Sequence, residues 1–264
     1  MFQNKVIWVT GASSGIGKEL ALQFAKGKSW LILSARSIEA LEQTKKDCLQ
    51  FTDKIEILPL DLSDTASLKN ISEKALALFG TIDILINNGG ISQRSDAINT
   101  PLEIDRKIME VNYFGNIALT KHVLPVMQKN NGGKIVVISS MSGKFGWKQR
   151  TAYAASKFAL QGFYESLRSE IQKDNITVLI VSPGRIKTNI SLNAITKDGT
   201  AYNKMDEGQL NGIPVETCAK KIISSIKRNK KEIIIAREER ILHLIRKFIP
   251  SVYYRMAANR NPNK

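Results

Sequence analysis

The stretch from Val6 to Gly17 leaves this chain few architectures. Five apolar or β-branched residues, Val6-Ile7-Trp8-Val9-Thr10, run directly into Gly11-Ala12-Ser13-Ser14-Gly15-Ile16-Gly17, after which a helical pattern begins. This reads as a buried strand, a glycine turn and a helix start. Glycines permit the tight turn and bring backbone close to a pyrophosphate, while the new helix offers unpaired N–H groups and the positive end of its dipole. An anionic dinucleotide suits that corner, with Gly11, Ser13, Ser14, Gly15, Ile16 and Gly17 as its candidate contacts. A phosphate loop for ATP would need Gly in place of Ala12 and Ser or Thr in place of Glu19, so that reading fails. The alternative is an ordinary βα turn.

The rest of the chain repeats the alternation. Short β-branched runs at Lys5–Thr10, Trp30–Ala35, Ile55–Leu60, Ile82–Asn87, Lys134–Ser139, Thr177–Ser182 and Glu232–Ala236 alternate with helical periods near Lys18–Lys26, Ile38–Phe51, Thr65–Phe79, Leu102–Lys129, Ala152–Lys173 and Val215–Asn229. Such βαβ repetition predicts one α/β domain over residues 1–264: a Rossmann-type, doubly wound, seven-stranded, mainly parallel sheet with helices on both faces. Residues 190–212 lack periodicity between a strand and a helix, where a substrate loop could sit. No apolar stretch reaches the roughly 18 residues of a membrane span, and the chain opens on a strand rather than a leader pattern. A soluble or peripheral cytoplasmic protein is expected, with Cys48 and Cys218 as reduced structural thiols. Neither His122 nor His243 has a partner at metal-ligand spacing, so no metal site is expected.

Two further places carry chemistry. NAD enzymes place an acid at the end of the second strand against the ribose hydroxyls; here the chain reads Ser34-Ala35-Arg36-Ser37. Arg36 could form charge-assisted bonds to a 2′-phosphate, which favours NADP(H) over NAD(H); otherwise it is a solvated loop charge. Tyr153 and Lys157 are four residues apart on one predicted helix, so phenol and ammonium share a face. A free tyrosine with a pKa of about 10 is a poor acid–base group at neutral pH, and a neighbouring cation would favour phenolate. Ser139 and Ser140 end the preceding strand and could bring a hydroxyl to the same pocket.

Thr10–Gly17, Asn87-Asn88-Gly89, Ser140 with Tyr153 and Lys157, and Pro183-Gly184 occur in the order of the short-chain dehydrogenase/reductase family, which the chain resembles from about Lys5 to Ile235. The family's thirteen-residue interval selects Ser140 over Ser139. The resemblance implies an oxidoreductase that moves a hydride between nicotinamide and a carbonyl or alcohol substrate, with Tyr153 as general acid/base and Ser140, Lys157 and Asn112 beside it. It implies that Asn112 bends the central helix and supports a proton relay from Lys157, and that helices around Asn112 and Tyr153 form a homo-oligomer. It also implies cofactor contacts from Asp61 and Leu62 to adenine, Asn88, Tyr153 and Lys157 to ribose, and Ile186 or Thr188, after Pro183-Gly184, to the nicotinamide amide. Where the family has Asn-Asn-Ala-Gly, this chain has Asn87-Asn88-Gly89-Gly90, which should loosen the turn. A substrate with lipophilic character, such as a 3-oxoacyl or steroid-like ketone, fits the family's breadth. Phe145 and Trp147 could line its pocket or serve as loop packing. The competing class is a non-catalytic NADPH sensor, or a membrane- or nucleic-acid-associated binding protein on the same fold.

The net charge of +15 is unevenly spread. From Pro214 to Lys264 thirteen Lys and Arg face four Glu, so this end carries +9 of it. Within the basic extension, residues 237–264, Ile241, Leu244, Ile245, Phe248, Val252, Tyr253 and Met256 recur near helical spacing. Pro250 interrupts them and predicts two short helices. Packing over the substrate site or a subunit neighbour is one use; peripheral contact with the inner face of a membrane is another. Nucleic acid is not the expected partner: it would need a basic patch with base-stacking aromatics on an ordered face, and the residues of the extension fit a lipid or protein contact as well.

Overall fold

The computed structural model describes residues 2–259. Seven strands, β1 (Val6–Thr10), β2 (Trp30–Ser34), β3 (Ile55–Ile57), β4 (Ile84–Asn87), β5 (Gly133–Ile138), β6 (Ile176–Pro183) and β7 (Glu232–Ile235), form one sheet in the order β3-β2-β1-β4-β5-β6-β7. Every pairing in it is parallel. Side-chain alternation along a strand sends neighbours to opposite faces, so continuous apolar runs need cover on both. Ile7 and Val9 of β1 pack with α1 (Gly15–Lys26), α2 (Ile38–Leu49) and α8 (Val215–Lys227). Val6 and Trp8 pack on the other face with α3 (Leu68–Phe79), α5 (Gly115–Lys129) and α6 (Thr151–Glu170). Cys48 and Cys218 are free and buried in the first of these cores, which pushes both thiols up to about 12.

The single helix expected over Leu102–Lys129 is instead three segments. α4 (Leu102–Met109) passes through a π-helical turn at Glu110–Phe114 before α5 begins. Asn112 sits in the wide turn with its side chain drawn to another segment: Oδ1 accepts from Ile91 N at 2.8 Å, and Nδ2 donates to Ile91 O at 2.9 Å and Ser156 Oγ at 3.0 Å. Gly115 follows because a Cβ there would lie 2.3 Å from Leu62 O, so only glycine lets α5 start this close.

Residues 190–212 contain short bridges, Gln93 to Ile195 and Ile195 to Ala201, and a one-turn helix α7 (Glu207–Leu210). The extension forms two helices, α9 (Glu238–Phe248) and α10 (Pro250–Asn259), divided at Pro250 as the sequence suggests; residues 260–264 of the extension lie outside the described residues. Leu242 and Tyr253 from these helices pack against Met141 and Phe145. Phe145 is therefore core rather than pocket lining, with its ring centroid 5.8 Å from that of Tyr253.

The strand order reverses between β1 and β4, and it is there, beyond the strands' carboxyl ends, that such sheets open a crevice. Thr10 holds the two strand ends together. Its Oγ1 accepts from Asn88 N and Gly89 N, each at 3.0 Å, and donates to Ile86 O at 3.1 Å. Asn88 Nδ2 returns bonds to Thr10 O at 2.9 Å and Gly11 O at 3.2 Å. The looser turn expected from Gly89 is thus not found: it is pinned from both sides, and Leu62 Cδ1 lies 2.6 Å from where its Cβ would be. Thr10→Val keeps the shape and strands Gly89 N, while Asn88 N keeps its bond to Ile86 O at 3.0 Å. It should lower unfolding stability by about 1–3 kcal/mol, read as a drop in the urea midpoint at constant m; an unmoved midpoint would show that the hub is dispensable.

Candidate active site

A cleft of about 980 Å³ opens at this switch point. On its nucleotide side, Gly11 and Gly15 take positive φ, +63° and +54°, which L side chains rarely adopt. Ser14, the N-cap of α1, makes no side-chain cap bond, and the first turn holds no acid, so the helix end meets the cleft with its own donors. Ser13, Ser14 and Ile16 line the wall with them. Gly17 does not. It lies behind the turn, where a Cβ would be 2.2 Å from Gly11 O and 2.5 Å from Asn88 Nδ2. This shaped, donor-rich cradle fits a dinucleotide phosphate.

Arg36, Asp61 and Leu62 line the same half, as does Lys107 of α4, a cation that no sequence pattern singled out. Asp61 Oδ1 accepts from Ser63 N and Oγ at 2.9 and 2.7 Å. Burial works against its ionisation, but these bonds, with Arg36 and Lys107 nearby, hold the carboxyl below the usual range. Asn88 reaches the wall between the halves, and Pro183, Gly184, Ile186 and Thr188 form the opposite side. Gln209 of α7 braces that side by donating to Ile186 O and, at 3.2 Å, to Thr188 Oγ1. Glu239 of α9 abuts Gly184, where a Cβ would lie 2.8 Å from Glu239 Oε2. Its carboxylate accepts from Arg185 N at 3.2 Å and Arg237 N at 3.3 Å, so the extension helps to build the cleft.

Ser140, Tyr153 and Lys157 converge on the same cleft. Ser140 caps a short 3₁₀ turn, with Oγ accepting from Ser142 N at 3.0 Å, and hydrogen-bonds Tyr153. Ser139 is committed elsewhere, donating to Lys157 O at 3.1 Å and accepting from Gln161 Nε2 at 2.9 Å. Lys157 donates to Ile138 O at 2.9 Å, and its Nζ lies 5.8 Å from the Tyr153 ring centroid. Asn112 stands behind the wall. A Cβ on Gly90 would lie 3.0 Å from Asn112 Oδ1 and 3.5 Å from Lys157 Nζ, so glycine lets both groups crowd this turn.

The electrostatics correct one expectation. Lys157 was expected to depress the Tyr153 pKa, but burial pushes the phenol up, while the Ser140 hydrogen bond and the positive charges of Arg150 and Arg94 pull it down. These arginines are a pair that sequence reading missed. Asp206, beside α7, bridges them: its Oδ2 pairs with Arg150 Nη2 at 2.9 Å and with Arg94 Nη2. Arg94 and Asp206 are buried, and burial lowers Arg94 to about 10 and Arg150 to about 9, leaving both cationic at neutral pH. Gln93 links the cluster to the helix, its Oε1 accepting from Tyr153 N at 3.2 Å and its backbone O from Arg94 Nη1 at 2.9 Å. Trp147 lines the cleft, as the sequence allowed.

A parallel sheet of this order with a glycine cradle at its switch point defines the class, a dinucleotide-binding α/β protein. Residues 5–198 match the family model described as short chain dehydrogenase. The chain is 45% identical over 256 residues to "Dehydrogenase/reductase SDR family protein 7-like" of Anopheles gambiae, covering 95% of this chain and 81% of the relative. It is 38% identical over 265 residues to "Dehydrogenase/reductase SDR family member 7B" of Bos taurus, covering 98% and 82%. A short-chain dehydrogenase from Streptomyces avermitilis superposes with a TM-score of 0.80 at 27% identity, over 96% of each chain. The chain belongs to the short-chain dehydrogenase/reductase family, whose members are oxidoreductases that use a nicotinamide cofactor.

Lys157 also leaves a thermodynamic signature. Burial lowers its pKa from 10.5 to about 8, so between those values the unfolded chain binds a proton that the folded chain does not, and stability rises with pH across that window. Lys157→Met should raise the unfolding midpoint near neutral pH, and the advantage should shrink as pH climbs from 8 towards 10.5. A midpoint difference that ignores pH would contradict the buried-ammonium account.

Proposed function

We propose that this protein is an NADPH-dependent reductase of a ketone or aldehyde, able to run in reverse on the alcohol, with Tyr153 as its general acid/base. The observation that carries this reading is the meeting of Ser140, Tyr153 and Lys157 with the glycine cradle in one cleft. Gly11, Ser13, Ser14, Gly15 and Ile16 would hold the pyrophosphate, Asp61 and Leu62 the adenine, Asn88 and Lys157 the ribose, and Ile186 or Thr188 the amide. Arg36, just past the end of β2 where NAD enzymes carry an acid, and Lys107 on the same half of the cleft favour a 2′-phosphate. NADPH supplies the hydride.

Tyr153 then gives its proton to the oxygen that gains charge as the carbonyl is reduced. In this direction the phenol carries the proton to be given; burial makes it a weaker acid, and the Ser140 hydrogen bond with the two arginines offsets that by stabilising the phenolate left behind. Ser140 orients the substrate oxygen. Lys157, held near Asn112 over Gly90, returns the proton by way of the relay that Asn112 supports. Met141, Trp147, Ile190 and Ile195 give the substrate half an apolar wall, which suits a lipophilic carbonyl compound. We further place the protein in the cytoplasm, where Cys48 and Cys218 stay reduced. It would assemble as a homo-oligomer through the helices around Asn112 and Tyr153, on which Phe114 is exposed.

Tyr153→Phe should cut turnover by about 10²–10⁴-fold while leaving the NADPH dissociation constant unchanged; near-normal turnover would remove Tyr153 from the mechanism. Separately, Arg36→Glu should weaken NADPH binding by about 10–100-fold and spare NADH. Equal loss of both nucleotides, or of neither, would place the phosphate-selective charge elsewhere.

A further inference from the structure

The C-terminal helices carry more apolar surface than the fold covers. Along α9 the apolar residues Ile241, Leu242, Leu244, Ile245 and Phe248 span an arc of about 160° at 3.6 residues per turn. Only one edge of that arc faces protein, with Leu242 buried and Ile245 partly so against Met141 and Phe145. The other edge is open to solvent: Ile241 is 61% and Phe248 69% exposed, with Leu244, also exposed, beside Phe248 at the outer limit of the arc. Exposure continues through Ile249, Val252, Tyr254 and Met256, so seven of the seventeen large apolar side chains exposed among the described residues lie within positions 241–256. A patch this concentrated marks an interaction surface.

Charge chooses between its occupants. Arg240 and Lys247 flank the open edge of α9 and Arg255 stands on α10, all three exposed. The acids of the extension lie at the start of α9: Glu238 is exposed there, and Glu239 is buried against Gly184 and Arg185. A second copy seated on this face by two-fold symmetry would bring these cations towards their own equivalents, at an electrostatic cost. An anionic lipid surface would neutralise them while taking up the apolar edge.

We propose that α9 and α10 dock this protein on an anionic bilayer surface, with Ile241, Leu244 and Phe248 inserted among the headgroups and Arg240, Lys247 and Arg255 on the lipid phosphates. The attachment to the catalytic body is firm. Tyr253 donates its hydroxyl to Gly146 O at 2.8 Å, Lys148 Nζ donates to Ala258 O at 2.6 Å, and Arg246 donates to Lys144 O. Those bonds join the helices to the segment that places Ser140 and Trp147 in the cleft, and Glu239 of α9 lines the cleft itself. A docked protein therefore holds its cleft beside the bilayer. On the reading of that cleft as a carbonyl-reducing site, it would draw a lipophilic substrate directly from the lipid.

The docking claim is tested without any substrate. The full chain is sedimented with vesicles of phosphatidylcholine alone and of phosphatidylcholine containing about 30% phosphatidylserine, at low and high salt. Binding should appear with the anionic vesicles and weaken as salt rises. Arg240→Gln, Lys247→Gln and Arg255→Gln should each reduce the partition coefficient by about fivefold, and the combined Ile241→Ser, Leu244→Ser, Phe248→Ser variant by at least about 100-fold. That variant should keep the native unfolding midpoint. Failure of the intact protein to bind anionic vesicles, or equal binding by the triple variant, would overturn the proposal. So would dissociation of an oligomer by the triple variant, since the face would then belong to a second copy.

Discussion

The site depends on the bonding between two neighbouring turns, one after β1 and one after β4. Thr10 Oγ1 accepts from the backbone of Asn88 and Gly89, and the Asn88 amide donates back to Thr10 and Gly11. Parallel strands part at a switch point because their connections run in opposite directions, and the crevice that results has no ladder of its own. Side-chain bonds across it are what fix its width. Gly11 and Gly17 let the turns approach until a Cβ on either would strike Asn88 Nδ2, at 2.8 and 2.5 Å respectively. That contact places the cradle, while the Gly90 turn above Lys157 and the π-turn are joined by the bonds of Asn112 to Ile91 and Ser156.

Around this frame the protein buries more charge than a hydrophobic core tolerates without partners. Lys157, Arg94 and Asp206 are each at most 6% exposed, and Arg150 is largely enclosed beside them. A buried charge that is paired and hydrogen-bonded is tolerable, and an unpaired one is costly. Asp206 meets that requirement for two arginines at once and ties residues near α7 to the loop after β4 and to the start of α6. The same cations stabilise a Tyr153 phenolate that burial alone would oppose. Loop closure and tyrosine acidity thus rest on one cluster.

The sequence was most legible where order along the chain equals order in space. Each predicted strand is present, because uninterrupted β-branched runs between glycine turns have one good use in a chain of this length, and strand ends differ by only a few residues. Gly11, Ser140, Tyr153 and Lys157 could be found because their spacing is local or belongs to the family's order. The Arg94–Asp206–Arg150 cluster could not, since its members come from three distant segments and each looks like an ordinary loop charge. The break at Asn112 was implied by the family resemblance but not by the apolar periodicity, which runs on past it, because the π-turn is held by bonds to Ile91 and Ser156 from distant segments. Sequence left Phe145 open between pocket lining and loop packing, because the Tyr253 ring that covers it comes from the distant extension. In the extension the two helices were legible from Pro250, but which apolar residues stay uncovered is a property of packing alone.

The central claim is hydride transfer from NADPH to a carbonyl carbon in the cleft at the switch point. Its most direct measurement uses NADPH deuterated in turn on each face of the reactive ring carbon, incubated with the full chain and a panel of ketones and aldehydes, with the alcohols read by mass spectrometry. The account predicts that one labelled form, and not the other, delivers a single deuterium to the product carbon. Nucleotide that is bound but never oxidised across the panel, or oxidised with no deuterium in any alcohol from either form, would contradict it.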